Sequence, residues 1–267
     1  MTDYSSAAAY LKALDLPVSS FASDFRTIKT SEIKDLDADI SLAFDQAKAQ
    51  SQVVGSAIIS FSQGVAEQTR EAISDAALLA QLVANKKFAS FEAAPKEWFS
   101  KYSEVLQNIG WVLEEQGWGE YEIDGNAAEV HEKILDVLTI ALAPSAAAAK
   151  ILTGMISALS AMSPESQWFT LFSQESQHAK TARFQIGLVE TGTDGLIVSL
   201  LACLIQAQHN LTQVLFFKFN DTVANFSGNS IKASINETDL QSLSSLIDEK
   251  IRDLRRQYVS TIKNLTD

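Results

Sequence analysis

Apolar positions change their spacing along the chain, and those changes divide it into elements. Residues 2–15 and 31–50 follow the three-to-four-residue period of a helix, the second through Ile33, Leu36, Ile40 and Phe44. A turn-rich stretch, 17–23, separates them. Residues 52–62 break the period with β-branched and aromatic side chains and serines at 56, 60 and 62, predicting an isolated early strand. Helical spacing resumes over 65–85, with Ala72, Ile73, Ala76, Leu79 and Leu82 on one side. A further helix opens at Pro95, where a first turn tolerates proline, and runs to Gln116 with the stripe Trp98, Tyr102, Val105, Ile109 and Leu113. Gly117, Gly119 and Gly125 read as a loop, leaving Trp118 exposed.

Two unusually apolar helices follow, 127–143 and 145–162. They are broken at Pro144, because proline removes a helix hydrogen bond and clashes with the preceding turn. Ile134, Val137, Leu138, Ile140 and Leu142 belong to the first; Ile151, Leu152, Met155, Ile156, Leu159 and Met162 belong to the second. Beyond Pro164 the period falls to two. Phe184, Ile186 and Leu188 alternate with Arg183, Gln185 and Gly187, which predicts a half-buried strand. After a turn at 191–195, residues 196–205 are apolar on both faces, as a centrally placed strand must be. Strands are also expected at 214–219, 226–235 and 168–172. The final helix starts near Thr238 and carries Leu240, Leu243, Ile247, Ile251, Leu254, Tyr258 and Ile262 at steps of three and four. Helices with one early strand, then a run of strands, then a helix indicate a layered α+β fold rather than a βαβ repeat. With 11 glycines, 4 prolines and no linker-like stretch, residues 1–267 read as one domain, in segments 1–50, 52–162, 165–236 and 238–265.

Composition narrows the function. The formal charge of −12 repels phosphate backbones and argues against nucleic-acid binding. It also repels anionic lipid, so any membrane contact has to be apolar or follow a change of shape. One cysteine, Cys203, excludes an internal disulfide framework. The first residues lack the basic-then-apolar order of a signal peptide. Synthesis in a reducing cytosol is therefore expected, with release by lysis or a signal-independent machine if the protein acts outside.

Catalytic signatures are missing: there is no phosphate loop, HExxH, CxxC or nucleophile elbow. His131, His178 and His209 are too scattered in sequence to suggest a metal face. Cys203 and His209 form a conceivable nucleophile and base, but Leu201, Ala202, Leu204 and Ile205 around the thiol would raise its pKa. A small buried core residue is the plain alternative, and a covalently held acyl chain the more specific one. No enzyme and no metal are expected. Residues 195–217 carry no formal charge over a membrane-spanning length, yet they hold Gln206, Gln208, His209, Asn210 and Gln213, so two strands joined by a turn fit better than a helix.

The stretch 195–208, Gly-Leu-Ile-Val-Ser-Leu-Leu-Ala-Cys-Leu-Ile-Gln-Ala-Gln, and Val-Leu-Phe-Phe-Lys-Phe-Asn-Asp at 214–221 resemble the sheet region of the Cyt-type δ-endotoxins and fungal volvatoxins. Gln-Trp-Phe-Thr-Leu-Phe at 167–172 and the alternating strand at 183–189 come in the same order. That resemblance implies a central, mostly antiparallel sheet wrapped by helical hairpins, and a non-enzymatic, membrane-binding cytolysin that can assemble with copies of itself on lipid. Leu196, Val198, Leu200, Leu201, Ile205, Val214, Leu215, Phe216 and Phe217 would be its membrane-engaging or acyl-pocket positions. Ile134, Leu138, Ile151, Met155 and Leu159 would mark the hairpin that moves away. The C-terminal helix departs from that pattern. Cys203 on an apolar strand is also similar in setting to the Erwinia virulence factor (Evf) family, which implies a palmitate-type thioester at that position. The alternative is a soluble interaction protein that uses the apolar stripe of its last helix as a partner surface.

Overall fold

The computed structural model describes residues 4–16, 49–88, 90, 92–123, 136–137, 139–140, 146–161, 172, 175–192, 195–207 and 224–262. Outside them lie nearly all of the helix expected at 31–50, the strand at 214–219 with Val214, Leu215, Phe216 and Phe217, and most of the helix at 127–143 with Ile134 and Leu138. His131, Trp168 and His209 lie outside them too.

The described helices are α1 (Tyr4–Ala13), α2 (Glu67–Lys87), α3 (Pro95–Asn108), α4 (Ala146–Ala161) and α5 (Glu237–Tyr258). The strands are β1 (Gln50–Val54), β2 (Ala57–Phe61), β3 (Val112–Ile123), β4 (Gln177–His178), β5 (Thr181–Gly192), β6 (Gly195–Ala207), β7 (Ala224–Ile235) and β8 (Val259–Ile262). They form one sheet in the order β3-β7-β6-β5-β2-β1-β8, with β4 paired to β5. Every pairing is antiparallel except β2 with β5. The fold is the layered α+β arrangement expected from the periodicity, with helices packed about a mostly antiparallel sheet.

Several elements differ from the sequence reading for identifiable reasons. The early strand is a hairpin: Gly55 at φ +53° and Ser56 turn the chain between β1 and β2. Gly55 fits because an added Cβ would run into the Gln81 amide. The helix expected to reach Gln116 stops at Asn108. Gly110, at φ +97°, takes the left-handed conformation, its N–H donating to Gln107 O (3.0 Å) and that of Trp111 to Leu106 O (3.1 Å). That pair of bonds is a glycine-terminated helix end, which satisfies carbonyls the helix leaves open. Residues 112–123 then extend as β3, so Trp118 is not in a loop but half-buried on a strand, 5.3 Å from the Phe99 ring. The last helix ends at Tyr258 and gives way to β8, which pairs with β1. Of the strand expected at 168–172 only Phe172 is described, and it is helical.

The helices stack in tiers. α2 is buried along nearly its whole length because it is covered from two directions. Toward the sheet, Ser74 Oγ donates to Gln52 Oε1 (2.5 Å) and Gln81 Nε2 to Val54 O (2.9 Å). From its other side α5 packs on it through Leu240, Leu243, Ile247 and Ile251, all buried. A hydrogen bond from Thr69 to Glu237 joins the starts of α2 and α5. Those four residues of the α5 stripe are thus packed inside the chain rather than offered to a partner; the side chains of Leu254, Tyr258 and Ile262 lie outside the described residues.

Candidate functional site

Strands β5, β6 and β7 run for 12, 13 and 12 residues as an antiparallel ribbon in the middle of the sheet. Their register sorts the sequence-predicted residues onto two faces, because side chains alternate along a strand and paired residues share a face. Leu196, Val198 and Leu200 point toward α2 and α3, and their rungs include Gly187, Val189, Ile231 and Ala233. Leu201, Cys203 and Ile205 point to the opposite face, in rungs with Ile186, Phe184, Ala182, Gly228 and Phe226. One stretch of sequence therefore serves two separate cores.

α4 lies on the Cys203 face. Met155, fully buried, accepts a contact from Ser60 Oγ at 3.2 Å, and Ser60 in turn bonds Ser51 Oγ at 2.6 Å. Ile151 is half-buried; Leu159 is on α4, but its side chain is outside the described residues. Phe172 meets Phe184 edge-on at 5.9 Å. Cys203 sits among these groups with no exposure, and burial holds its thiol pKa well above the ordinary value. A neutral, enclosed thiol is a poor nucleophile. A Cβ added at Gly228, its neighbour on β7, would sit in ordinary contact, 3.4 Å from Leu201 and 3.8 Å from Val137.

The other face holds polar groups that the alternation reading assigned to solvent. β5 is buried on both sides from Thr181 to Val189, with Arg183 3% exposed and Gln185 fully enclosed. The Arg183 guanidinium stacks on Trp98 (4.0 Å to the ring centre), and its Nη2 donates to Asn85 Oδ1 at 3.2 Å. Trp98 Nε1 donates to the same oxygen at 2.7 Å. This clasp joins β5, α2 and α3. Burial pushes the Glu175 carboxyl up to about 7, partly offset by the charge of Arg183, while burial lowers Arg183 to about 9. One rung on, Gln185 Oε1 accepts from Ser56 Oγ (3.3 Å), and Asn229 Nδ2 donates to Glu115 Oε2 (3.2 Å). Their remaining amide atoms, Gln185 Nε2 and Asn229 Oδ1, have no partner among the described residues. Arg183 and Gln185 escaped the sequence reading because a buried polar face and a wet one give the same alternation, and Glu175 lies ahead of the strand in no pattern at all.

His178 is exposed on β4, with Nδ1 3.3 Å from Glu92 Oε1. Among the described residues, no group of three His, Cys, Asp or Glu side chains is gathered as a metal ion would need, and no helix is long and apolar enough to cross a membrane.

No family model matches the chain, and no curated protein matches it. Among solved structures it is similar to a delta-endotoxin, at 10% identity and a TM-score of 0.35, over 67% of this chain and 80% of that one. It is likewise similar to the Evf virulence factor, at 10% identity and a TM-score of 0.32, over 86% and 91% of the two chains. These are the two kinds of protein that the sequence resembles. The overlap is loose, so the reading below is carried by the chain's own strands.

Proposed function

We propose that the protein is a non-enzymatic, lipid-directed virulence factor or toxin that engages a membrane through the β5-β6-β7 ribbon after its helical cover moves aside. One observation carries this reading. In the half of the ribbon where β5 begins, the α4-side face is apolar, with Phe184, Ile186, Leu201, Ile205 and Phe226, while the opposite face bears Arg183, Gln185, Ser227 and Asn229. A strand that crosses a bilayer needs about 9–11 residues, apolar toward lipid and polar toward the inside. All three strands exceed that length, and β6 has no charged side chain. Among the described residues Val112 and Ile140 are the exposed large hydrophobics, so the ribbon's apolar face is covered in this state. Contact with lipid therefore requires opening on the α4 side.

The reading involves no covalent chemistry: the Cys203 thiol is enclosed and neutral, and His178 faces outward. The test is release of an encapsulated dye from phosphatidylcholine vesicles, scanned over pH and after limited proteolysis. Release with protein bound to the vesicles is expected under at least one of these conditions. Absence of both binding and release throughout would sink the reading.

A further inference from the structure

β3 closes one end of the sheet. Its 12 residues pair with β7 at ten registered positions, and among the described residues no strand lies on its other side. Alternate residues of a strand turn their N–H and C=O groups to opposite sides, so an end strand keeps one set open to water or to another chain. A bulge at Gln116 and Gly117, where Gly117 takes φ +85°, divides this edge into Val112–Glu115 and Trp118–Ile123. Bulges bend an edge and stop long pairings, so whatever adds here is short.

The two halves differ in what they offer. In the second, Lys96 of α3 already lies over the Trp118 ring (5.5 Å) and pairs with Glu120 (3.0 Å). The first half has no such cover. Val112 is 61% exposed, Glu114 and Glu115 are exposed, and Leu113 is half-buried against the core. Alternation and register put Val112 and Glu114 on the α4 side, and Leu113 and Glu115 on the side of α2 and α3. Among the described residues neither glutamate has an ion-pair partner. Glu115 accepts from the Asn229 amide (3.2 Å), and Lys232, opposite Glu114 on β7, closes no ion pair with it.

We infer that the open edge of β3 at Val112–Glu115 docks a short extended segment of a partner protein, which adds as an antiparallel strand with two cationic residues opposite Glu115 and Glu114 and two apolar residues opposite Leu113 and Val112. Main-chain hydrogen bonds hold such a segment, and its side chains supply the choice of partner. Antiparallel addition continues the sheet, in which every pairing but one is antiparallel. Charge complementarity makes the segment cationic, since opposite charges directly across a strand pair attract and like charges repel. A second copy of the chain is the wrong occupant. Two copies paired antiparallel over these four residues would set Glu115 against Val112 and Glu114 against Leu113, with −12 on each molecule. This surface concerns a protein partner and is read without vesicles, so it stands apart from the lipid-directed reading.

The test is nuclear magnetic resonance titration of the whole isotope-labelled protein with acetyl-Thr-Lys-Lys-Val-Val-Thr-amide, following backbone amide signals. Saturable shifts confined to β3 and its β7 neighbours are expected. A peptide of the same composition in the order Thr-Lys-Val-Lys-Val-Thr, which breaks the match, should bind about fivefold weaker or worse. The double variant Glu114→Gln/Glu115→Gln should weaken the first peptide about tenfold and keep its melting temperature. Methylating one alternate set of peptide amides should abolish binding, while methylating the other set should spare it, because a strand pairs through every second residue. No shift of the β3 amides in the wild type overturns the proposal. Equal binding of the two peptide orders reduces the effect to general attraction by an acidic protein and overturns it as well. So does an equal effect of the two methylated sets, which excludes strand addition.

Discussion

Arg183 and Glu175 show how a single buried charge can couple a sheet to its helical cover. The guanidinium lies on the Trp98 ring and shares Asn85 with the indole, so β5, α2 and α3 meet at one point. Glu175 titrates at about 7 in the fold, against an ordinary glutamate value of 4.5. Between those values the native state holds a proton that the unfolded chain has released, so the stability contributed by this group falls as pH rises through the window. Gln at this position resembles the protonated acid. Glu175→Gln should therefore melt higher than wild type at pH 8, with the gap closing as pH drops through 7 toward 5; a gap that widens on acidification contradicts the assignment. Neither residue was legible in the sequence as a site. Arg183 fell on the polar phase of an alternating strand, and nothing local says that the polar phase is covered. Cys203 was legible, because a run of apolar neighbours on both sides of a thiol already requires burial.

At the level of elements, legibility followed the strength of the period. α5 could be read from its stripe, and Leu240, Leu243, Ile247 and Ile251, buried among the described residues, match that stripe. Their partner is α2 rather than another molecule, so truncation is a matter of core packing. Ile247→Ala should cost about 2–5 kcal/mol, measured by urea denaturation. A loss under about 0.5 kcal/mol, as for a surface substitution, would mean that α5 is not anchored on α2. β3 was misread for a definite reason. Leu113 continues the helical stripe of α3 in sequence, but the left-handed Gly110 has already ended the helix, and one glycine outweighs one well-spaced leucine. The β1-β2 hairpin was merged into one strand because β-compatible residues surround Gly55-Ser56, although Gly-Ser is itself a two-residue hairpin turn pair.

At the scale of the whole molecule, acidity governs what the protein can approach. With pI near 4.7, vesicles rich in anionic lipid repel it at neutral pH over roughly a Debye length, about 8 Å at physiological salt. Dye release from phosphatidylglycerol vesicles should lag behind that from phosphatidylcholine at pH 7, and the two should converge as pH nears 5 or as salt is raised. Faster release from the anionic vesicles at low salt and pH 7 would contradict an apolar mode of engagement. Fold class could be read at this scale because switches between periods of 3.6 and 2 survive in any long chain. Sheet order could not, because the partners β2 and β5 are separated by more than a hundred residues and share no local signal.

That junction has a consequence for how the molecule is assembled. The parallel pairing of β2 with β5 spans five registered positions, whereas β5 with β6 and β6 with β7 span twelve each. It is a short suture between two separately knitted antiparallel pieces, β8-β1-β2 and β5-β6-β7-β3. Closing so long a loop for so few bonds comes late in folding, because chain entropy is lost before those bonds form. Under mechanical load or thermal stress the same suture is where the two pieces would part.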